Sequence, residues 1–214
     1  MVSESQLDPV QGDAAAHETT THTPDSGDPT PALEIETIRT GGRFDFEVVR
    51  ESWPDGRTIE REVVRHPGAV VVLAVDHDGM IALIRNRRIA VGGWVWELPA
   101  GTMEPPEPAE LCAARELEEE AGLRAGRLDP LGMFLTSPGM TDELMHAFFA
   151  SDLTPVRQRL EADERIEVHP TPVAQTLAMI DDGRLHDAKS MVAILLALRR
   201  GLLIEPSGDS TRVE

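Results

Sequence analysis

The sequence predicts an α/β fold in which a mixed central sheet lies between helical layers, with a small antiparallel sheet ahead of it. Three observations support this. A continuous apolar run at residues 69–75 is typical of a buried strand. Strand-like segments occur on both sides of a helical segment at 108–121, and two further helical segments close the chain. With 214 residues, the chain is long enough for one sizeable domain with an extension.

The composition narrows the classes of partner. A formal net charge of −18 argues against nucleic acid or an anionic membrane surface. We expect no signal peptide and no membrane span, since no apolar run approaches the roughly 20 residues that a span requires. The single cysteine, Cys112, excludes an internal disulfide and is interpreted as a small, half-buried thiol. These features predict a cytoplasmic protein.

The chain divides by composition. Residues 1–32 are acidic, contain no Lys or Arg, and are predicted to be a disordered tail. Residues 33–66 carry short apolar segments around glycine turn signals and predict a small N-terminal sheet. This sheet is too poor in apolar residues to stand alone, so it should pack on the main domain or on a second subunit. The main domain is placed at 67–204, and the tail at 205–214 is expected to fray.

In the main domain, the buried strand 69–75 turns through 76–79, with His77 as a turn residue, into a strand at 80–84. Further strands are predicted near 94–98, 127–135, 144–150 and 166–169, and closing helices at 172–182 and 187–200. The last helix should bury the apolar face formed by Met191, Ile194, Leu195 and Leu198.

Three arginines, Arg85, Arg87 and Arg88, form a positive cluster in this acidic chain and favour anion recognition over simple surface solubility. Trp96 follows them in an alternating strand. We favour a core position for its ring, with stacking on a base as the alternative.

The helix at 108–121 has clear boundaries. Pro108 suits a first helical position, and Gly122 is a natural stop. The apolar residues at helical spacing predict its buried stripe. They are Leu111, Ala114, Leu117 and Ala121.

Glu116, Glu119 and Glu120 gather on this helix because residues three and four positions apart are neighbours on a helical surface. We expect them on the face opposite the apolar stripe. Exposed like-charged pairs repel by about 0.2–0.5 kcal/mol each. A divalent cation would reverse that sign, since hard cations take oxygen ligands. The alternative is a solvated acidic face without a ligand.

The loop ahead of the helix favours the metal site. The segment follows the spacing G-x5-E-x7-R-E-U-x-E-E-x-G-U without a mismatch. Its specified positions are Gly101, Glu107, Arg115, Glu116, Leu117, Glu119, Glu120, Gly122 and Leu123. This segment resembles the Nudix box, the signature of the Nudix hydrolases, and is called the box below. The resemblance implies an α/β/α sandwich and divalent-metal-dependent hydrolysis of a pyrophosphate linkage.

The resemblance also implies roles within the segment. Mg²⁺, with Mn²⁺ as a substitute, would be held by Glu116, Glu119, Glu120 and the carbonyl of Ala100. Such ions would draw a phosphate-rich substrate to an acidic protein, and a pair about 4 Å apart can activate water and stabilise a leaving phosphate. Arg115 is placed to hold one of the glutamates. We count Glu119 and Arg115 as catalytic residues.

Three further residues of the segment have structural tasks in this prediction. Gly101 allows the loop to approach the helix closely. Glu107 and Gly122 maintain the motif.

A general base is also needed on a mobile loop. The loop carrying Asp142 and Glu143 is the best candidate, with Glu164 as a spare.

Several segments outside the box resemble the ADP-ribose pyrophosphatase branch of the family. They are 61–64, 66–70, the Arg88 region, 96–101, 137–139 and the pair at 142–143. The resemblance implies that Arg61 and Arg88 contact phosphate or ribose groups, that Gly139 lies by the substrate, and that Glu143 is the base.

The same branch forms homodimers by exchanging N-terminal sheets, which implies that residues 33–66 cross to the partner and wall the adenine pocket. Trp53 is then a candidate for stacking on the base, with packing at the turn tip as the alternative. One departure is that the chain has no tyrosine and carries Asn86-Arg87-Arg88 where the branch usually has Gln-Tyr-Arg. An extra arginine there could favour a different nucleotide sugar.

The predicted activity is hydrolysis of ADP-ribose to AMP and ribose 5-phosphate. The alternative within enzymes is a pyrophosphatase for GDP-mannose or other nucleotide sugars. The alternative of another class is a sensor that binds ADP-ribose without cleaving it. Such sensors typically lose a glutamate of the box, and this chain retains all of them.

Overall fold

The computed structural model of the protein describes residues 31–203. In this part of the chain the elements are, in order, β1 (Ala32–Thr40), β2 (Asp45–Ser52), β3 (Thr58–Arg65), β4 (Ala69–Ala74), β5 (Met80–Arg88), β6 (Gly93–Glu97), β7 (Ala100–Thr102), α1 (Ala109–Ala121), β8 (Leu123–Leu135), β9 (Leu144–Pro155), β10 (Ile166–Pro172), α2 (Val173–Asp181) and α3 (Ala188–Arg199). Residues 1–30 of the tail predicted at 1–32, and the whole tail predicted at 205–214, lie outside the described residues. Ala32, assigned to the N-terminal tail, is the first residue of β1.

A four-stranded mixed sheet forms the centre of the main domain, in the order β7-β4-β9-β8. Strands β4 and β9 run parallel, and the other neighbours are antiparallel. A second, antiparallel sheet has the order β10-β5-β6. Strands β8 and β9 are longer than predicted because their pairing continues from Leu123–Pro155 at one end to Leu135–Leu144 at the other.

The central strand β4 shows why helices lie on both sides of this sheet. All six of its residues are buried, and successive side chains point to opposite faces. Val70 and Val72 pack in the cluster that contains α1. Val71 and Leu73 pack in the cluster that contains α2 and α3. The predicted α/β/α sandwich with a mixed central sheet is confirmed.

Strands β1, β2 and β3 form a separate three-stranded antiparallel sheet. In the single chain, β1 is an edge strand with every residue exposed. Its apolar side chains Leu33, Ile35 and Ile38 are 61%, 54% and 51% exposed. The end of β3 connects to the main domain, where the backbone N–H of Val64 donates to the carbonyl of Met140 at 2.9 Å.

Helix α1 begins one residue later than the sequence suggested. Pro108 is extended and precedes the helix, and Gly122 ends it with a φ of 65°, where its N–H bonds to the carbonyls of Glu118 and Leu117. The predicted apolar stripe is partly wrong, since Leu111 is 61% exposed. The buried face is rotated and consists of Cys112, Ala113, Glu116, Leu117, Glu120 and Ala121.

The closing helices lie close to their predicted positions. Asp187 caps α3 by accepting a hydrogen bond from the backbone N–H of Ser190 at 3.1 Å. The predicted apolar face of α3 is wrong at Met191 and Leu195, which are 36% and 56% exposed. Small residues cover the sheet instead, which lets the helix approach it closely. They are Ser190, Ala193 and Ala197, together with Ile194. Among residues 31–203, no helix is long and apolar enough to cross a membrane.

Candidate active site

The acidic residues of α1 lie at the wall of a cleft of about 900 Å³, a size suited to a small-molecule ligand. Glu116 and Glu120 are buried, at 8% and 2% exposure. The prediction that they lie opposite the buried stripe is therefore wrong. They belong to the buried face because the segment that contains β7 packs over this part of the helix. Glu119, whose side chain is 27% exposed, lines the same cleft.

Burial changes the acidity of this pair. Desolvation raises the pKa of Glu120 to about 8, although the hydrogen bond from the Ala100 N–H partly opposes it. Desolvation likewise raises the pKa of Glu116 to about 7, against the opposing effect of Arg115. The negative charge of Glu116 also raises the pKa of Glu120, and the charges of Glu119 and Glu164 raise the pKa of Glu116. The two groups thus hold protons more tightly than exposed glutamates would.

Gly101 is the point at which the loop meets the helix. A methyl group added to this glycine would lie about 2.0 Å from the carboxyl carbon of Glu116. Only a residue without a side chain permits this approach. The close approach places the backbone of Ala100 and Gly101 against the carboxylates, as the sequence predicted for Gly101.

Arg115 holds the acidic cluster together. Its Nε and Nη2 donate to the two oxygens of Glu107, both at 3.0 Å. Its Nη1 donates to Glu116 at 2.7 Å and to Glu119 at 3.1 Å. These bonds, that to Glu107 first, raise the pKa of the guanidinium, so it stays charged throughout the physiological range. The loop that carries Glu107 and the helix face are therefore bridged by one cation.

The donor set fits a divalent cation. Within residues 31–203, no three acidic, histidine or cysteine side chains are grouped closely enough in this arrangement to enclose an ion. Arg115 and the Ala100 N–H take up the carboxylate oxygens of Glu116 and Glu120 instead. Arg115 is shared among Glu107, Glu116 and Glu119, and Glu120 forms no ion pair with another described residue, so negative charge remains in excess at this site. Hard oxygen donors of this kind suit Mg²⁺ or a similar ion.

A second charged network lies across the cleft. Arg88 binds both oxygens of Glu97 through Nε and Nη2, at 2.6 to 3.2 Å. Lys189 donates to the same carboxylate at 3.0 Å and pairs with Asp187 at 3.0 Å. Burial acts to raise the pKa of Glu97, but Arg88 and Lys189 outweigh it and the pKa lies below its ordinary value. Arg88 and Lys189 face the cleft, whereas Arg87 lies outside the residues that line it.

The loop between β8 and β9 contributes the candidate bases. Glu143 lines the cleft, and its Oε2 accepts a hydrogen bond from the hydroxyl of Thr136 at 2.6 Å. Asp142 points instead to β3, where it accepts bonds from the backbone N–H of His66 and from Arg65. Glu164 lines the cleft from another loop. Of the two neighbouring carboxylates, only Glu143 reaches the cleft.

Three candidate substrate residues lie outside the cleft of a single chain. Arg61 is on the N-terminal sheet and donates to the carbonyl of Glu60 at 2.8 Å. Trp53 lies at the β2–β3 turn, with the guanidinium of Arg57 over its ring at 5.5 Å. Its indole N–H has no hydrogen-bond partner among the described residues. Gly139 is exposed at the loop tip.

The structure also shows where the three other residues interpreted from the sequence lie, which are Cys112, His77 and Trp96. Cys112 is fully buried and not half-buried, and desolvation raises the pKa of its thiol to about 12. His77 is an exposed turn residue, as predicted. The ring of Trp96 packs against the core and the edge of His169, with Arg85 over its face at 5.5 Å.

Some cleft residues were missed by sequence reasoning. They are His66, Thr136 and Lys189, which line the cleft, together with the buried Glu97, which binds Arg88 and Lys189. Glu97 had one available signal, since a carboxylate in an apolar strand requires a cationic partner. The other three are brought to the cleft by pairing and packing between distant segments, which no local spacing reports.

The fold is an α/β/α sandwich, and at its cleft the acidic helix α1 packs against the loop that contains Gly101. These two features together define the class of protein. Residues 64–191 match the model of the NUDIX domain, and the chain belongs to the NUDIX family. The resemblance to the Nudix hydrolases is confirmed.

Individual relatives agree with this assignment. The ADP-ribose pyrophosphatase of Bacillus subtilis is 38% identical over 161 residues, which are 74% of this chain and 87% of the relative. The GDP-mannose pyrophosphatase of Klebsiella pneumoniae is 32% identical over 181 residues, 79% of this chain and 85% of the relative. A crystal structure described as an ADP compounds hydrolase superposes with a TM-score of 0.71 at 24% identity, covering 83% of this chain and 97% of that one. This last likeness supports the fold.

Proposed function

We propose that the protein hydrolyses the pyrophosphate bond of ADP-ribose, giving AMP and ribose 5-phosphate. The observation that carries this proposal is the buried pair Glu116 and Glu120, pressed against the Ala100–Gly101 backbone at the wall of a ligand-sized cleft. The 38% identity to an ADP-ribose pyrophosphatase supports the choice of substrate.

Glu116, Glu119, Glu120 and the carbonyl of Ala100 would hold Mg²⁺, for which Mn²⁺ is a substitute. When bound, the metal supplies positive charge that activates water and stabilises phosphate oxygens. Without the metal, Arg115 keeps the carboxylates in place, because it bridges Glu116 and Glu119. Displacement of Arg115 from one of these oxygens would make room for the ion.

The protein's own groups perform the remaining tasks. Glu143 accepts a proton from the attacking water as the new P–O bond forms and the bridging P–O bond breaks. Arg88, oriented by Glu97, faces the cleft and contacts a substrate phosphate or the ribose. The other phosphate ester is the leaving group, so AMP leaves if water attacks the phosphorus on the ribose 5-phosphate side, and ribose 5-phosphate leaves if water attacks the phosphorus on the adenosine side. Arg115 and Glu119 act by fixing the donor set on α1.

The substrate contacts of Arg61, Trp53 and Gly139 require a second chain in this proposal. The exposed apolar residues Leu33 and Ile35 of β1 support a homodimer in which the N-terminal sheets are exchanged. The adenine would then be enclosed by the partner's sheet. Sedimentation of the full chain tests this point, and a monomer at micromolar concentration would contradict it. The cytoplasmic location stays a prediction.

GDP-mannose is the second candidate substrate, favoured by the 32% identity to a GDP-mannose pyrophosphatase. The extra arginine of the Asn86-Arg87-Arg88 segment gives it little support, because Arg87 is outside the cleft. Comparison of kcat/KM for ADP-ribose and GDP-mannose, with Mg²⁺ under identical conditions, decides between them. We expect ADP-ribose to be preferred, and a preference for GDP-mannose would reverse the assignment.

A non-catalytic sensor of ADP-ribose is the alternative of another class. All four glutamates of the box are retained, and Glu116, Glu119 and Glu120 share the cleft with Glu143, which favours catalysis. Binding of ADP-ribose without release of AMP, across a panel of nucleotide sugars with Mg²⁺ or Mn²⁺, would favour the sensor.

A further inference from the structure

His66 lies directly after β3, between the N-terminal sheet and the cleft, with its side chain 8% exposed. Its Nδ1 accepts a hydrogen bond from the backbone N–H of Gly68 at 3.0 Å. Its Nε2 lies 3.4 Å from Oε1 of Glu143. A ring nitrogen that accepts a hydrogen bond carries no proton, so the proton lies on Nε2, the nitrogen that faces Glu143 at ion-pair distance.

The orientation of this ring is fixed from several sides. The ring of Phe44 stacks on it with centroids 4.9 Å apart and planes inclined by 25°. The backbone N–H of His66 also donates to Oδ1 of Asp142 at 2.8 Å. The residue next to Glu143 is therefore tied to the backbone of His66, which holds the loop and the ring in register.

Glu143 has a second fixed contact. The hydroxyl of Thr136 donates to Oε2 at 2.6 Å, while His66 faces Oε1. Thr136 thus bonds one oxygen of the carboxylate and the ring of His66 faces the other, and each oxygen keeps a lone pair for another partner. The carboxylate is held in one orientation before a substrate arrives.

We propose that His66 is a positioning residue for Glu143. Its Nε2–H sets the rotation of the carboxylate, so that the free lone pair of Glu143 is directed into the cleft. This inference rests on the proposed function, in which Glu143 accepts the proton of the attacking water. His66 acts through Glu143 and has no separate contact with the substrate.

Two substitutions separate this role from a purely structural one. In His66→Asn, the side-chain oxygen can still accept the Gly68 N–H, but no donor reaches Glu143. In His66→Gln, the longer side chain can place an amide N–H close to the position of Nε2. His66→Asn therefore keeps the acceptor for Gly68 and loses the group that faces Glu143, whereas His66→Gln does the reverse.

We expect His66→Asn to lower kcat by about 10- to 100-fold, the usual range for residues that orient a catalytic group. KM should stay close to the wild type, and the melting temperature should fall by a similar amount in both variants, because both lose the stacking on Phe44. His66→Gln should restore most of kcat. Equal losses in both variants, or a rise in KM without a fall in kcat, would overturn the proposal.

The variant Glu143→Gln distinguishes failure of this inference from failure of the proposed function. If the wild type releases no AMP, the proposed function fails. If Glu143→Gln retains full turnover, the function stands, but Glu143 is not the base and the inference fails. If Glu143→Gln loses turnover but His66→Asn does not, only the inference fails. In the Glu143→Gln background, His66→Asn should cause no further loss, and a second loss of similar size would show that His66 acts independently.

The tautomer provides a measurement that needs no turnover. Long-range ¹⁵N–¹H correlations of the imidazole rings, assigned by comparison with His66→Asn, should show the proton of His66 on Nε2. Glu143→Gln should shift that signal, because it removes the charge that faces the proton. A proton on Nδ1, or a signal that does not respond to Glu143→Gln, would overturn the proposal.

Discussion

The backbone N–H of Ala100 donates a hydrogen bond to Oε2 of Glu120 at 2.7 Å. This bond connects β7 to α1 at a point where the glutamate is only 2% exposed. Because the loop lies this close to the helix, the Glu120 carboxylate and the Ala100 backbone belong to one site. Any ligand bound there interacts with both elements.

The first prediction concerns pH. The folded protein raises the pKa of Glu116 to about 7 and of Glu120 to about 8, above their ordinary value of 4.5. A raised pKa means that the folded state binds these protons more tightly than the unfolded state. This contribution to stability is therefore fully present below about pH 4.5 and is lost progressively as the pH rises to about 8. The melting temperature of the metal-free protein should fall between about pH 5 and pH 8.

A divalent cation should reverse this trend, because it binds the deprotonated carboxylates and competes with protons. Added Mg²⁺ should raise the melting temperature more at pH 8.5 than at pH 6. Differential scanning fluorimetry with and without Mg²⁺ measures both effects. An equal Mg²⁺ shift at the two pH values would show that these glutamates are not the site.

Gly101→Ala should disrupt the donor set. The added methyl group would lie about 2.0 Å from the Glu116 carboxyl carbon, so either the loop or the carboxylate must move. We expect a large fall in kcat and a weaker response to Mg²⁺. Gly93→Ala is the matched control, since its nearest contact would be 3.9 Å from a carbonyl oxygen. Similar activities in the two variants would contradict the importance of the close approach.

Arg115→Lys should lower activity although the charge is conserved. Lysine cannot make the paired bonds to Glu107 while also reaching Glu116. We expect a loss of about 10- to 100-fold in kcat or in Mg²⁺ affinity. The control is Arg124→Lys, whose arginine is exposed and pairs with Glu118. Steady-state kinetics across a Mg²⁺ titration measure both variants. Equal kcat and Mg²⁺ affinity in the two variants would show that Arg115 has no special role in the site.

Lys189→Met should act on substrate binding. It removes one of the two cationic partners of the buried Glu97, leaving Arg88 to bind that carboxylate alone. We expect a higher KM for ADP-ribose, and a loss of about 1–3 kcal/mol in the free energy of unfolding. Arg184→Met, in an exposed pair with Asp182, should change neither. An unchanged KM in Lys189→Met would show that the contact between Lys189 and Glu97 does not contribute to substrate binding.

The sequence was most informative where a local pattern carries the information. The apolar run of β4 predicted a buried strand of the sandwich. The glycine after α1, Gly122, predicted the end of that helix. The spacing of Gly101, Arg115 and Glu120 predicted the family, because a loop and a helix close together in the chain form that part of the site. These features depend on few long-range contacts.

Features that depend on distant segments were less predictable. The buried face of α1 differed from its apolar stripe because β7 covers the glutamates, a contact that periodicity cannot report. For the same reason Leu111 is exposed although it fits the helical pattern. His66 and Lys189 reach the cleft only after β3 and α3 have packed against the main domain. Local spacing therefore gave no signal for Lys189, and for His66 the resemblance of segment 66–70 indicated the segment but no role.

The most direct test of the account is the rate of AMP release from ADP-ribose over a Mg²⁺ titration, in the wild type, Glu120→Gln and Glu118→Gln. Glu118 lies on the same helix but pairs with the exposed Arg124, so it controls for the loss of one charge. We expect Mg²⁺-dependent turnover in the wild type and in Glu118→Gln. In Glu120→Gln, turnover should fall by orders of magnitude while the protein stays folded. Undiminished turnover in Glu120→Gln, or turnover that is independent of divalent metal, would contradict the account.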